Sequence, residues 1–128
     1  MRDTDKKKKI MVVDDDPDIL LTLGSLFKEE GYEVVTVENG LECIKELEKG
    51  FEGIIFMDIM MPVMDGWETM RNMAMGGFMD EKNIILILTA RRIPDEEMDE
   101  FEGYIQEYIT KPFDIKKLIT MIQKYTKK

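Results

Sequence analysis

A chain of 128 residues, 44% hydrophobic and 35% charged, has the size and composition of one ordinary globular domain. Its 27 acids against 18 bases give a net charge of −9, the wrong sign for gripping a phosphate backbone. The absence of histidine removes Ser–His and Cys–His chemistry and His-based zinc sites, and the single cysteine, Cys43, excludes an intramolecular disulfide.

The first eight residues are a basic lead-in, in which Lys6, Lys7 and Lys8 run on into Lys9; we expect a solvated segment. A first strand is predicted over 10–14, Ile-Met-Val-Val-Asp, followed by Asp15, Asp16 and Pro17. Asp16 is placed to cap a helix that Pro17 begins. Ile19, Leu20, Leu23, Leu26 and Phe27 form its apolar stripe, and Gly31 stands where it should stop. The second strand is predicted over 33–37. The helix after it carries Cys43 beside Leu41, Ile44 and Leu47, a packing position. The third strand, 53–58, ends in Asp58, and the helix that follows must pack Trp67, Met70 and Met73. Trp67 comes just after Asp65-Gly66 and is expected close enough to report on the site by fluorescence.

The fourth strand, 84–88, is a run of five aliphatics leading into Thr89-Ala90, and the acidic helical segment 94–102 follows it. The fifth, 104–109, leads into Thr110, Lys111, Pro112 and Phe113. Asp114 should cap a last helix with Ile115, Leu118, Ile119 and Ile122 facing the core. Unbroken apolar runs at 54–57 and 84–88 suit central strands covered on both faces. Five strand–helix alternations with short links predict an α/β, doubly wound, flavodoxin-like (βα)5 fold whose five-stranded parallel sheet has the order 2-1-3-4-5. The whole of 1–128 is expected to be one such domain. No apolar run approaches the roughly 20 residues of a membrane span and no signal peptide is seen, so a cytoplasmic protein without membrane insertion is expected.

This topology gathers two acids, a third acid, a hydroxyl and a lysine at the C-terminal edge of the sheet, where open α/β folds place their ligands. Three carboxylates at close quarters repel one another, and Mg2+ resolves the repulsion with carboxylate and carbonyl oxygens. A carboxylate held there can attack phosphorus, while a lysine and a hydroxyl take up developing charge on the phosphoryl oxygens. Competing readings fail on named residues. An EF-hand starting at Asp14 would have Ile19 at its glycine position and Ser25 at its bidentate acid. A flavodoxin-type phosphate loop would be repelled by the three aspartates. An aspartyl phosphatase would use a second acid two residues after its nucleophile, where this chain has Met60.

Ile10-Met-Val-Val-Asp-Asp-Asp-Pro-Asp-Ile-Leu20, Met57-Asp-Ile-Met-Met-Pro-Val-Met-Asp-Gly66, Leu88-Thr-Ala90 and Tyr108-Ile-Thr-Lys-Pro-Phe113 resemble the receiver domain of two-component response regulators, in particular single receivers like the chemotaxis regulator. The resemblance implies a phosphoacceptor switch, and not an enzyme acting on other molecules, in which Asp58 takes a phosphoryl group from a sensor histidine kinase or a histidine phosphotransfer protein. It implies Mg2+ held by Asp15, Asp58 and the backbone carbonyl of Met60, with Asp14 helping through water. Thr89 and Lys111 would bind the phosphoryl oxygens, Tyr108 would follow Thr89 in the switch, and the Lys111–Pro112 bond would be cis. Met60 and Arg91, two residues beyond Asp58 and Thr89, would set the rate of dephosphorylation. Because Met60 offers attacking water no hydrogen bond, a phosphorylated state of minutes or longer is expected. Output would pass through the face made by the fourth helical segment, the fifth strand and the last helix to a downstream protein, with a phosphorylation-dependent homodimer open and no direct contact with nucleic acid. Two stretches depart from the family: Tyr104-Ile105-Gln106-Glu107 replaces the usual Gly-Ala-Asp-Asp, and segment 94–102 has only Met98 and Phe101 as apolar anchors. Eight of the twelve methionines fall between Met57 and Met79, which we read as core filling, with an adaptable docking surface as the alternative.

Overall fold

In the computed structural model, which describes residues 9–80, 82–90, 101 and 103–126, five parallel strands form one sheet in the order β2-β1-β3-β4-β5. The strands are β1 (Lys9–Val13), β2 (Glu33–Val37), β3 (Ile54–Met57), β4 (Ile84–Thr89) and β5 (Ile105–Thr110). Around them lie α1 (Pro17–Glu29), α2 (Gly40–Glu48), α3 (Gly66–Met75) and the C-terminal helix α4 (Ile115–Thr126). The basic lead-in, Arg91 and, apart from Phe101, the segment expected to be helical over 94–102 lie outside the described residues.

Period-two alternation along the strands makes two cores. Met11, Val13, Ile55, Met57, Ile85 and Ile87 face α2 and α3, where Cys43, Leu47, Trp67, Met70 and Met73 cover them. Ile10, Val12, Ile54, Phe56, Leu86 and Leu88 face the other way, against Leu23 and Phe27 of α1 and Leu118 and Ile122 of α4. Phe27 stacks on Phe56 with ring centroids 5.3 Å apart. A buried aromatic of this kind costs about 3–5 kcal/mol when cut to alanine, so this contact is a principal anchor of α1 on the sheet. Four of the clustered methionines, Met57, Met61, Met70 and Met73, lie in the first core, which fits the core-filling reading.

Helix ends follow the local chemistry. Asp16 caps α1 by accepting from the Asp18 amide, with Pro17 in the first turn. Gly31, at φ 95°, takes the left-handed turn beyond the helix end, where a side chain would be strained. Asp114 accepts from the Lys116 amide at the start of α4. The stripe of α4 begins later than expected: Ile115 is 42% exposed, while Met121 and Tyr125 join Leu118 and Ile122 against the sheet. Ile115 is the first helical residue, and the inward face starts one turn on.

The fifth strand also departs from a simple ladder. Ile105 pairs with Ile85 and Glu107 with Leu86, so Gln106 is an extra residue bulged out of register. The bulge falls in the stretch where the sequence leaves the family pattern, and beyond it Tyr108 pairs with Ile87 and Thr110 with Thr89.

Candidate functional site: an acidic pocket at the C-terminal edge of the sheet

The strand order sets Asp14 and Asp58 side by side. Beyond the last residue of β1, the Asp14 amide still donates to Val37 O at 3.1 Å, and the Asp58 amide donates to Val13 O at 2.9 Å. Asp14 thus extends the β1–β2 ladder and Asp58 the β1–β3 ladder by one backbone bond each, and the two acids flank the β1–β3 crevice where the chain reverses its winding direction. Asp14 then turns the chain, its Oδ1 accepting from the Asp16 amide at 2.9 Å, and Asp16 repeats the device on Asp18. The effect is to bury Asp14 at 1% exposure and leave Asp15 exposed at the rim, while Asp58 is 4% exposed. Carboxylate oxygens of Asp14, Asp15 and Asp58 lie within 4.8 Å of one another.

Lysine 111 reaches this cluster from the far side of the sheet. Its amide donates to Thr89 O at 2.9 Å, which ties the two strand ends together, and the Lys111–Pro112 bond is cis. Its ammonium donates to Asp14 Oδ2 at 2.8 Å and stands 3.7 Å from Asp58 Oδ2. Asp58 Oδ1 accepts from the Met60 amide at 3.2 Å, so the carboxylate has one oxygen held by backbone and the other toward the lysine.

These surroundings leave the site short of positive charge. Burial, the neighbouring Asp14 charge and a hydrogen bond with Asp14 push the Asp58 carboxyl up to about 7, against the opposing pull of Lys111 and the Met60 amide. Burial alone would depress Lys111, but its hydrogen bond to Asp14 and the charges of Asp58, Asp14 and Asp16 hold it above its ordinary value. A cluster of three acids with one ammonium suits a small divalent cation: the donors are hard carboxylate oxygens, one of them exposed at the rim, and the charge is unbalanced. Cys43 lies away from this chemistry, buried and with its thiol pushed up to about 12 by burial first and Glu46 second.

Thr89 is buried at 1% exposure, and Tyr108, on the edge strand, is 38% exposed. Met60 is 50% exposed. Trp67, expected to report on the site, has its ring in the core, 3% exposed and stacked on Phe101 at 6.0 Å. A residue whose part was not read from the sequence is Gly66. Its amide donates to Ile59 O at 2.9 Å, and a Cβ there would stand 2.6 Å from Asp58 O and 2.8 Å from Ile59 Cα. Only glycine allows α3 to start against the backbone of the acidic loop. The Asp65-Gly66 pair carried a signal, since Asp65 is the N-cap of α3 and accepts from the Glu68 amide.

A parallel 2-1-3-4-5 sheet with an acidic pocket and a facing lysine at its C-terminal edge places the chain among the doubly wound, flavodoxin-like α/β domains. The family model described as the response regulator receiver domain matches residues 10–123, and the chain belongs to that family. It is 37% identical over 109 residues to the alkaline phosphatase synthesis transcriptional regulatory protein PhoP of Bacillus subtilis (strain 168), covering 83% of this chain and 43% of that protein. The chain thus spans less than half the length of that relative. Among solved structures, a CheY-like receiver domain protein from Methanospirillum hungatei JF-1 superposes with a TM-score of 0.86 at 36% identity, covering 94% of this chain and 95% of that one. The response regulator TrrA from Thermotoga maritima, solved in complex with Mg(2+)-BeF, gives 0.74 at 31% identity, covering 91% and 97%. Among the described residues no helix is long and apolar enough to cross a membrane.

Proposed function

We propose that this receiver domain is a phosphorylatable switch in which Asp58 accepts a phosphoryl group from the phosphohistidine of a sensor kinase or a histidine phosphotransfer protein. The observation that carries the reading is the Asp58 carboxylate, buried and fixed by the Met60 amide, with the Lys111 ammonium 3.7 Å from its other oxygen. An Asp58 oxygen attacks phosphorus as the phosphorus–nitrogen bond of the donor breaks. The electron pair returns to the imidazole, which takes up a proton. Lys111 exchanges part of its hold on Asp14 for the incoming phosphoryl oxygens, and the Thr89 hydroxyl turns to them from its buried position. Asp15, Asp58 and the Met60 carbonyl would hold Mg2+, with Asp14 reached through water; the ion, when bound, neutralises charge on the transferring group.

In this reading Thr89 and Tyr108 form the switch. Tyr108 is partly exposed at rest, and it moves inward when Thr89 leaves its resting place. The surface reshaped is that of β5 and α4, which docks a downstream protein or a second copy without direct contact to nucleic acid. Met60, and Arg91 by its place two residues beyond Thr89 in the sequence, set the lifetime of the phosphorylated state. The cytoplasm, where a phosphohistidine donor is met, is the compartment of this reading.

The test needs no partner protein. Acetyl phosphate with Mg2+ should add one phosphoryl unit to the intact mass, labile to hydroxylamine and absent from Asp58→Asn. An unmodified wild-type chain, or an adduct on another residue, overturns the proposal.

A further inference from the structure

Of the eight clustered methionines four are buried and two half-buried, while Met60 and Met75 are exposed. Met57, Met70 and Met73 have no exposed surface and Met61 is 8% exposed, whereas Met60 is 50% exposed. Its amide is bonded to Asp58 Oδ1 at 3.2 Å, which holds its thioether within a side chain's reach of the phosphoacceptor. We propose that Met60 is a site of reversible oxidation by peroxide-class oxidants, and that its sulfoxide shortens the life of the phosphorylated state. The inference rests on the reading of Asp58 as phosphoacceptor.

The chemistry balances without any group from the protein. The sulfur lone pair attacks one oxygen of hydrogen peroxide, an S–O bond forms as the O–O bond breaks, and the second oxygen leaves as water with both protons. Sulfur loses two electrons and the peroxide gains them. The product is polar and is returned to the thioether by methionine sulfoxide reductases. A thioether is a weak acceptor and leaves a nearby water unoriented, whereas a sulfoxide oxygen accepts firmly. Placed beside the acyl phosphate, it orients a water for attack on phosphorus, a contribution worth about fivefold in rate for one added hydrogen bond.

A second exposed methionine supplies an internal control. Met75, 86% exposed, ends α3, and Gly66, packed against Asp58 O, begins it. The helix separates the two by roughly 14 Å at 1.5 Å per residue, too far for a side chain at Met75 to touch water at Asp58.

The full chain is treated with hydrogen peroxide, mapped by peptide mass, phosphorylated with acetyl phosphate and Mg2+, freed of donor and followed by intact mass. Met60 should gain one oxygen before Met57, Met70 or Met73, and the oxidised chain should lose its phosphoryl group about fivefold faster. Reductase treatment should restore the slow rate. Met75→Leu should respond to peroxide as the wild type does, and the lifetime of Met60→Leu should not respond. Met60→Gln, which supplies an amide acceptor without oxidant, should shorten the lifetime from the outset. Complete oxidation of Met60 with an unchanged lifetime overturns the inference, as does the same acceleration in Met60→Leu. Absence of any Asp58 adduct on the untreated chain overturns the phosphoacceptor reading itself, which separates the two failures.

Discussion

Replacing Asp58 with its neutral isostere, asparagine, should make the metal-free protein more stable near neutral pH. The Asp58 carboxyl is raised from its ordinary value of 3.8 to about 7, by burial first and by Asp14 second. Between those two values the native state holds more protons than the unfolded chain, so stability falls as pH rises through the window. Below the lower value both states are protonated and the penalty vanishes; above the upper one it is fully present. At about 1.36 kcal/mol per decade of proton affinity, the carboxylate costs the native fold about 4 kcal/mol at most when ionised. Asparagine removes that cost and little else. Its amide oxygen can still accept from the Met60 amide, and Lys111 stays bonded to Asp14 at 2.8 Å, so no buried cation is orphaned.

Urea unfolding of wild type and Asp58→Asn in EDTA is the assay, near pH 8 and again near pH 4.5. The variant should lead by about 2–4 kcal/mol at the higher pH, and the gap should shrink steadily as the pH is lowered. Groups remote from the pocket titrate alike in both proteins and cancel from the difference. Millimolar Mg2+ near pH 8 should close the gap from the other side, since an ion bound by the native wild type adds to its stability. A variant less stable than wild type near pH 8, or a gap indifferent to pH, would refute the reasoning that the buried carboxylate is poorly compensated.

Lys111→Ala should lose about 3 kcal/mol near pH 8 by urea unfolding, because Asp14, 1% exposed, is left without its ammonium partner. Mg2+ should restore part of that loss, while phosphorylation by acetyl phosphate stays impaired. Gly66→Ala should cost about 1–3 kcal/mol, since a Cβ there meets Asp58 O at 2.6 Å and the loop must shift; wild-type stability in that variant would remove the close-packing argument. Cys43, buried with its thiol at about 12, should resist iodoacetamide near pH 8 in the native protein and react only in denaturant.

The acidic pocket was legible because its parts are local. Short apolar runs fix where each strand stops, so Asp14, Asp58 and Thr89 can be placed at strand ends without knowing any long-range contact. Asp16 and Pro17 declare the start of α1 by chemistry confined to three residues. Features that depend on how distant segments meet were not legible. The sequence places a lysine near three acids but cannot say that Asp14, 97 positions away, takes its hydrogen bond while Asp58 stands off at 3.7 Å. Neither the Gln106 bulge nor the Trp67–Phe101 stack has a local signature, because each is settled by which neighbour the segment packs against. Ile115 misled for a related reason: an apolar residue directly after a capping aspartate fits the helical period, yet it precedes the turn that reaches the sheet.

The resting position of Lys111 links these electrostatics to signalling. Three carboxylates face one ammonium, so with all groups ionised the pocket carries a net charge of −2. If Lys111 were centred on Asp58, it would quench the carboxylate proposed to attack phosphorus and would leave Asp14 buried without its ammonium partner. Centred on Asp14, it satisfies the more deeply buried acid and keeps Asp58 reactive, with a high affinity for a proton or a cation. The strain that raises Asp58 is therefore the same free energy that draws a divalent ion into the pocket, and an acceptor neutralised for stability would lose the field that makes it an acceptor. Stability and phosphorylation should consequently move in opposite directions for substitutions at Asp15 and Asp58, and in the same direction at Lys111.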